Sequence, residues 1–239
     1  MIVINKKRIS IIVICLLLGI FAYSYEGTKI NFEEEIQQTT ATPVSGKVIV
    51  VDAGHGVPDE GAESSTGTTE AQTNLKIALK LQNLLEQSGS TVVLTRSDEN
   101  AIYDLDKNTL REKKISDIRN RVKIGNNSTA DIFVSIHLNK IPQQQYWGWQ
   151  CFYNSKNSES ASLAKKIQAN LNDSIQKENK RVAMKLDTVY IMKHVEIPIS
   201  IVECGFLSNP EEEKQLLEDE YQDKLAWGIF NGIIDYFNE

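Results

Sequence analysis

Of the chain's three histidines, two stand where a buried run of residues ends. Lys47–Val51 is continuously β-branched after its lysine and stops at Asp52-Ala53-Gly54-His55-Gly56. The apolar run Asp131–His137 closes on its own histidine. A carboxylate, Glu70, opens the first long segment of helical periodicity. Two imidazoles and one carboxylate, with a fourth position open, are a ligand set of catalytic zinc. A metal held that way lowers the pKa of a coordinated water to about 7, so hydroxide is available at neutral pH. Glu203 follows Ser200-Ile201-Val202. Burial after such a run raises a carboxyl pKa toward the range useful for proton transfer. Each of these residues also has a structural reading: a hydrogen-bonded histidine at a strand end, or a glutamate that is exposed or pairs an arginine. No HExxH spacing is present, and residues 55, 70 and 137 meet only if the fold brings them together.

The elements that would do so alternate. Strands are expected at Lys47–Val51, Thr91–Thr95, Asp131–His137, Gly148–Tyr153, Thr188–Met192 and Ile199–Val202. Helices are expected at Glu70–Gln87, Ile115–Asn126, Glu159–Ile175 and Tyr221–Phe237, where apolar residues recur three to four apart. This alternation predicts an α/β domain with a largely parallel sheet and helices on both faces. Ligands of such sheets sit beyond the C-terminal strand ends, where His55, His137 and Glu203 fall.

Other features are read as structural. Asn209-Pro210-Glu211-Glu212-Glu213 is a helix start, with Asn209 as N-cap, Pro210 at the first position and Glu212 closing a capping box. His194 is expected in a loop. Tyr146, Trp147 and Trp149 suit core or edge packing better than a sugar-stacking surface. Cys151 and Cys204 read as buried small hydrophobes.

The composition is that of a globular protein, 41% hydrophobic and 24% charged. Net charge is −6. Without the three bases of the first 25 residues, 23 bases face 32 acids, a balance of −9. An acidic body argues against generic nucleic-acid binding, which draws on phosphate neutralisation by Lys and Arg. Ile9–Tyr25 is uncharged and follows Lys6-Lys7-Arg8. Residues 1–25 therefore read as a membrane anchor or signal peptide, with the N-terminus cytoplasmic and the remainder exported. Residues 26–46 form a polar linker, and 47–239 the domain.

In order and spacing, VIVVDAGHG, the Glu70 that opens its helix, TVVLTRSD, RNRVKIGNNSTADIFVSIHLN and IVECGFLSNPEEEKQLL resemble the zinc-dependent N-acetylmuramoyl-L-alanine amidases of the amidase-3 family. The resemblance runs from about Lys47 to the C-terminus. It implies one zinc per chain held by His55, Glu70 and His137, with Glu203 as the catalytic carboxylate and a single domain on a six-stranded sheet. The implied substrate is peptidoglycan, cut at the amide between the muramic-acid lactyl group and L-alanine. The short form is similar to the CwlD-type spore-cortex amidases, which prepare muramic-δ-lactam formation. That implies an envelope location on the forespore or cortex side. The alternatives are a vegetative autolysin, another exported zinc hydrolase such as a stem-peptide peptidase, and a catalytically silent wall-binding homologue. The sequence departs from the family pattern at Val57-Pro58, Glu60 and Leu138. If the loop failed to preorganise His55, an accessory protein would be needed to hold the metal.

Overall fold

Val48–Ala53 (β1) is buried at every position after its first, as an uninterrupted β-branched run requires when both faces of a strand are covered. It pairs in parallel with Thr91–Leu94 (β2) on one side and Ile132–Asn139 (β3) on the other. Ile199–Phe206 (β6) continues the parallel set beside β3. Gln150–Tyr153 (β4) runs antiparallel to β6 and carries the two-residue Met184–Lys185 (β5) at the sheet edge. The order is β2-β1-β3-β6-β4-β5. These features belong to a computed structural model, which describes residues 14–25 and 42–239.

Helices cover both faces. On one side Glu70–Gln87 (α1), Ser158–Ile175 (α3) and Asp219–Phe237 (α6) supply Leu81, Leu163 and Leu225 to the larger core. On the other, Leu110–Asn127 (α2) and Tyr190–His194 (α4) supply Val122, Ile191 and Met192 to the smaller one. Pro210–Leu217 (α5) follows β6. This is the expected single α/β domain, with a mostly parallel six-stranded sheet.

Three local expectations are corrected. Of the strand expected at Thr188–Met192, Thr188 and Val189 form a bend and Tyr190–Met192 instead begin α4. A short apolar run does not distinguish strand from helix, and consecutive Ile191 and Met192 both bury on one side of the sheet. Helix α2 begins five residues earlier than its apolar spacing suggests. A complete capping box starts it: Thr109 accepts from the Glu112 N–H while the Glu112 carboxylate accepts from the Thr109 N–H. Asn209 does cap α5, accepting from the N–H groups of Glu211 and Glu212. Glu212 does not close a box there, because its buried carboxylate accepts instead from the N–H groups of Phe206 (2.8 Å) and Gly148 (2.7 Å).

Residues 14–25 are helical and exposed and belong to a separate unit, Met1–Ala41. No helix among the described residues is long and apolar enough to cross a membrane. Residues 9–13 of the Ile9–Tyr25 run and 26–41 of the polar stretch lie outside the described residues.

Candidate metal centre and active site

The sheet register sets the first two reactive groups. His137 on β3 is the direct neighbour of Glu203 on β6, so both side chains leave the same face at the C-terminal end of parallel strands. His55 lies two residues beyond the end of β1, with φ at +63°. A non-glycine residue rarely adopts that conformation unless its surroundings hold it. Glu70 is the first residue of α1, where the helix dipole favours a carboxylate.

Two buried arginines hold the His55 loop. Arg121 of α2 donates to the carbonyls of Ala53 and His55, each at 2.6 Å. Arg96, just after β2, donates to the carbonyls of Ala53 (2.8 Å) and Gly54 (3.0 Å), and to Ala71 on α1 (2.8 Å). Arg121 is neutralised by Asp52 at 2.6 Å and Asp117 at 2.8 Å. Burial opposes ionisation of Asp52, but Arg121, Ser135 and Thr95 together hold its carboxyl below the usual range. These charges therefore anchor backbone and leave the reactive groups uncovered.

Glu70 joins the two histidines. Its Oε1 lies 2.9 Å from His137 Nδ1 and its Oε2 3.4 Å from His55 Nε2. The N–H groups of Ala62 and Leu138 donate to it at 2.9 and 3.0 Å. Burial pushes the Glu70 pKa up, yet the His137 hydrogen bond and both imidazoles bring it down to about 2. Glu70 is thus a carboxylate at any physiological pH. The other nitrogen of His55, Nδ1, faces Asp59 Oδ2 at 3.2 Å, and Lys114 holds Asp59 at 3.0 Å. A carboxylate behind an imidazole fixes its tautomer and ring orientation, as behind metal-bound histidines.

One ligand atom from each of His55, Glu70 and His137 lies within 4.8 Å of the other two. A Cβ on Gly54 would overlap the His137 ring, so glycine there is a condition of the arrangement. Two nitrogens and one oxygen on preset side chains fit a divalent cation with a position left for substrate.

Glu203 differs from Glu70 in kind. Its Oε2 is buried without a hydrogen-bond partner among the described residues. Burial raises its pKa to about 7, with Glu70 adding to the shift and His137 opposing it. That value suits a group that takes and returns a proton near neutrality. Together with His55, His137 and Asp59, Glu203 borders a pocket of about 300 Å³, walled on one side by Ile118, Leu186, Val189 and Ile201.

The four reactive residues singled out in the sequence therefore converge. His194 does not join them. It ends α4 and stacks on Tyr190, the ring centroids 4.1 Å apart. Trp149 is wholly buried and Tyr146 half exposed. Cys151 and Cys204 are buried free thiols. The sequence reading missed Asp59, Arg96 and Arg121 as site residues. Arg96 and Arg121 stand inside the matched segments TVVLTRSD and RNRVKIGNN, and that was the available signal.

A mostly parallel α/β sheet that gathers two imidazoles and two carboxylates beyond its C-terminal strand ends is the arrangement of a hydrolase, with a donor set that could hold a metal ion. The model of the N-acetylmuramoyl-L-alanine amidase family matches residues 49–235, and the chain belongs to that family. It is 35% identical over 224 residues to the germination-specific N-acetylmuramoyl-L-alanine amidase of Bacillus subtilis, covering 94% of this chain and 91% of that one. The CwlD amidase of Clostridioides difficile, solved in complex with the GerS lipoprotein, superposes with a TM-score of 0.79 at 42% identity, covering 81% of this chain and 99% of that one. The catalytic domain of CwlV from Bacillus (Paenibacillus) polymyxa superposes with a TM-score of 0.69 at 31% identity, covering 80% of this chain and 98% of that one.

Proposed function

We propose that the protein is a zinc-dependent amidase of the spore cortex. It hydrolyses the bond between the muramic-acid lactyl carbonyl and the L-alanine nitrogen, and so prepares muramic-δ-lactam formation. The observation that carries the reaction is the convergence of His55, Glu70 and His137 beside Glu203, with His137 and Glu203 in register on neighbouring strands. The cortex role draws support from the likeness to the germination-specific relative over nearly the whole length of both chains.

His55, Glu70 and His137 hold the metal. When bound, zinc polarises the lactyl carbonyl, activates water and stabilises the negative charge that develops in the transition state. Asp59 keeps the His55 ring turned so that Nε2 faces the site. Glu203 takes the proton of the attacking water on its unpartnered oxygen and returns it to the departing alanine nitrogen, which leaves as an amine. The apolar wall of Ile118, Leu186, Val189 and Ile201 receives the lactyl and alanyl methyl groups and limits access of bulk water.

In the same reading residues 1–25 export the domain, anchored or released, to the envelope of a forespore. An accessory lipoprotein, of the kind in the complex of the C. difficile relative, is a candidate partner. Loss of the gene in a spore former tests the cortex role. Spores without muramic-δ-lactam are expected, whereas normal cortex with altered vegetative wall turnover would make the enzyme an autolysin.

A further inference from the structure

Beside Glu203 the structure holds a cation without a carboxylate partner. Gln150 on β4 is the direct cross-strand neighbour of Glu203, so the two side chains stand on one face, within reach of a common ligand. The Gln150 Oε1 accepts from Arg181 Nη1 at 3.3 Å, and its Nε2 donates to the Val182 carbonyl at 3.0 Å. Between His137↔Glu203 and Asn139↔Phe206 the pairing of β3 and β6 gains one residue on β6. An extra residue turns the following side chain to the opposite face. Phe206 thereby comes to the Glu203 side, and the Arg181 guanidinium packs over its ring at 4.8 Å, with Tyr146 at 6.0 Å.

Arg181 is half-buried and makes no ion pair within 4 Å among the described residues. The buried acid that feels its charge, Glu212, is turned to two backbone N–H groups. The Arg181 Nε reaches only the Trp147 carbonyl, at 3.4 Å, and its Nη2 has no hydrogen-bond partner among the described residues. A planar guanidinium stacked on an aromatic ring, with donors to spare, is preorganised for a carboxylate.

We propose that Arg181, steadied by Gln150 and Phe206, binds a free carboxylate on the stem peptide, one residue beyond the alanine whose amide is cut. This rests on the amidase reading above. Neighbouring strands lie about 4.7–4.9 Å apart, so a peptide leaving Glu203 across β4 runs toward Gln150 and the guanidinium that Gln150 holds. The arginine acts as a specificity group, selecting peptides whose second residue carries a free α-carboxylate over those in which it is amidated.

The test compares two defined muramyl peptides that differ only in that group, carboxylate or carboxamide, with wild type, Arg181→Gln and Arg181→Lys. Wild type is expected to favour the carboxylate by about 10–100-fold in kcat/KM, the range of one charge-assisted contact, and Arg181→Gln to cut the two peptides with equal kcat/KM. Arg181→Lys should recover part of the preference. Wild type indifferent to the group, or an equal loss on both substrates in Arg181→Gln, overturns the proposal. If wild type cleaves neither peptide, the amidase reading fails by itself. Calorimetric binding of the two peptides to the wild-type protein then still decides the subsite, with tighter binding of the carboxylate form supporting it and equal binding overturning it.

Discussion

Glu203→Gln separates chemistry from stability at one atom. Burial moves the Glu203 carboxyl from an ordinary 4.5 to about 7. Each pH unit of that displacement is worth about 1.36 kcal/mol, so an ionised Glu203 costs the folded, metal-free protein about 3 kcal/mol. The sign follows from proton binding. Between pH 4.5 and about 7 the folded state holds the proton more tightly than the unfolded chain. Wild-type stability from this group is therefore full below 4.5 and falls as pH rises through 7. Glutamine has the same shape and no charge to desolvate. After chelation, Glu203→Gln should melt about 6–12 °C above wild type at pH 8, for a domain of this size, and level with it at pH 4.5. In the metal-loaded enzyme the same variant should keep its metal and lose about 10²–10⁴-fold in turnover. Melting curves of chelated protein at the two pH values, beside turnover on a purified muropeptide, measure both halves. Equal melting at pH 8 would show that Glu203 is not desolvated as described, and near-normal turnover would make it structural.

Alanine at His55, Glu70 or His137 should each abolish tight zinc binding, one equivalent per chain in the parent by elemental analysis; a variant that keeps stoichiometric zinc removes that residue from the ligand set. Arg121→Met leaves Asp52 and Asp117 buried without their cation and should cost about 3–5 kcal/mol in chemical denaturation, with loss of wild-type stability on acidification of the same kind that protonates Asp52; a change within 0.5 kcal/mol or so would refute the clamp. A reporter active only outside the cytoplasm, fused after Gly46, should be active in intact cells, and a cytosolic, protease-shielded domain would contradict export.

The reactive residues were legible because strand ends are. His137 and Glu203 end apolar runs, and a parallel α/β sheet collects such ends at one edge. Glu70 was legible as a helix start. The groups that set their geometry were not, because they arrive from far along the chain. Arg96 and Arg121 look like ordinary surface charges in their own segments; only the packed fold turns them onto the carbonyls of residues 53–55. Asp59 lies in the loop whose Val57-Pro58 departure raised doubt about His55, yet that loop carries the carboxylate that orients its ring. The α4 error has a local cause: four apolar residues, Val189–Met192, fit either periodicity. Gln150 and Arg181 escaped notice because cross-strand register and the extra residue in β6 cannot be read along one strand.

The bond that is cut decides the function. Purified, zinc-loaded protein should convert a defined muramyl peptide into two products resolved by mass spectrometry: a muramic acid with a free lactyl carboxyl, and a peptide with a new N-terminal L-alanine, both absent after chelation. Cleavage inside the stem peptide, leaving alanine attached to the lactyl group, would contradict it.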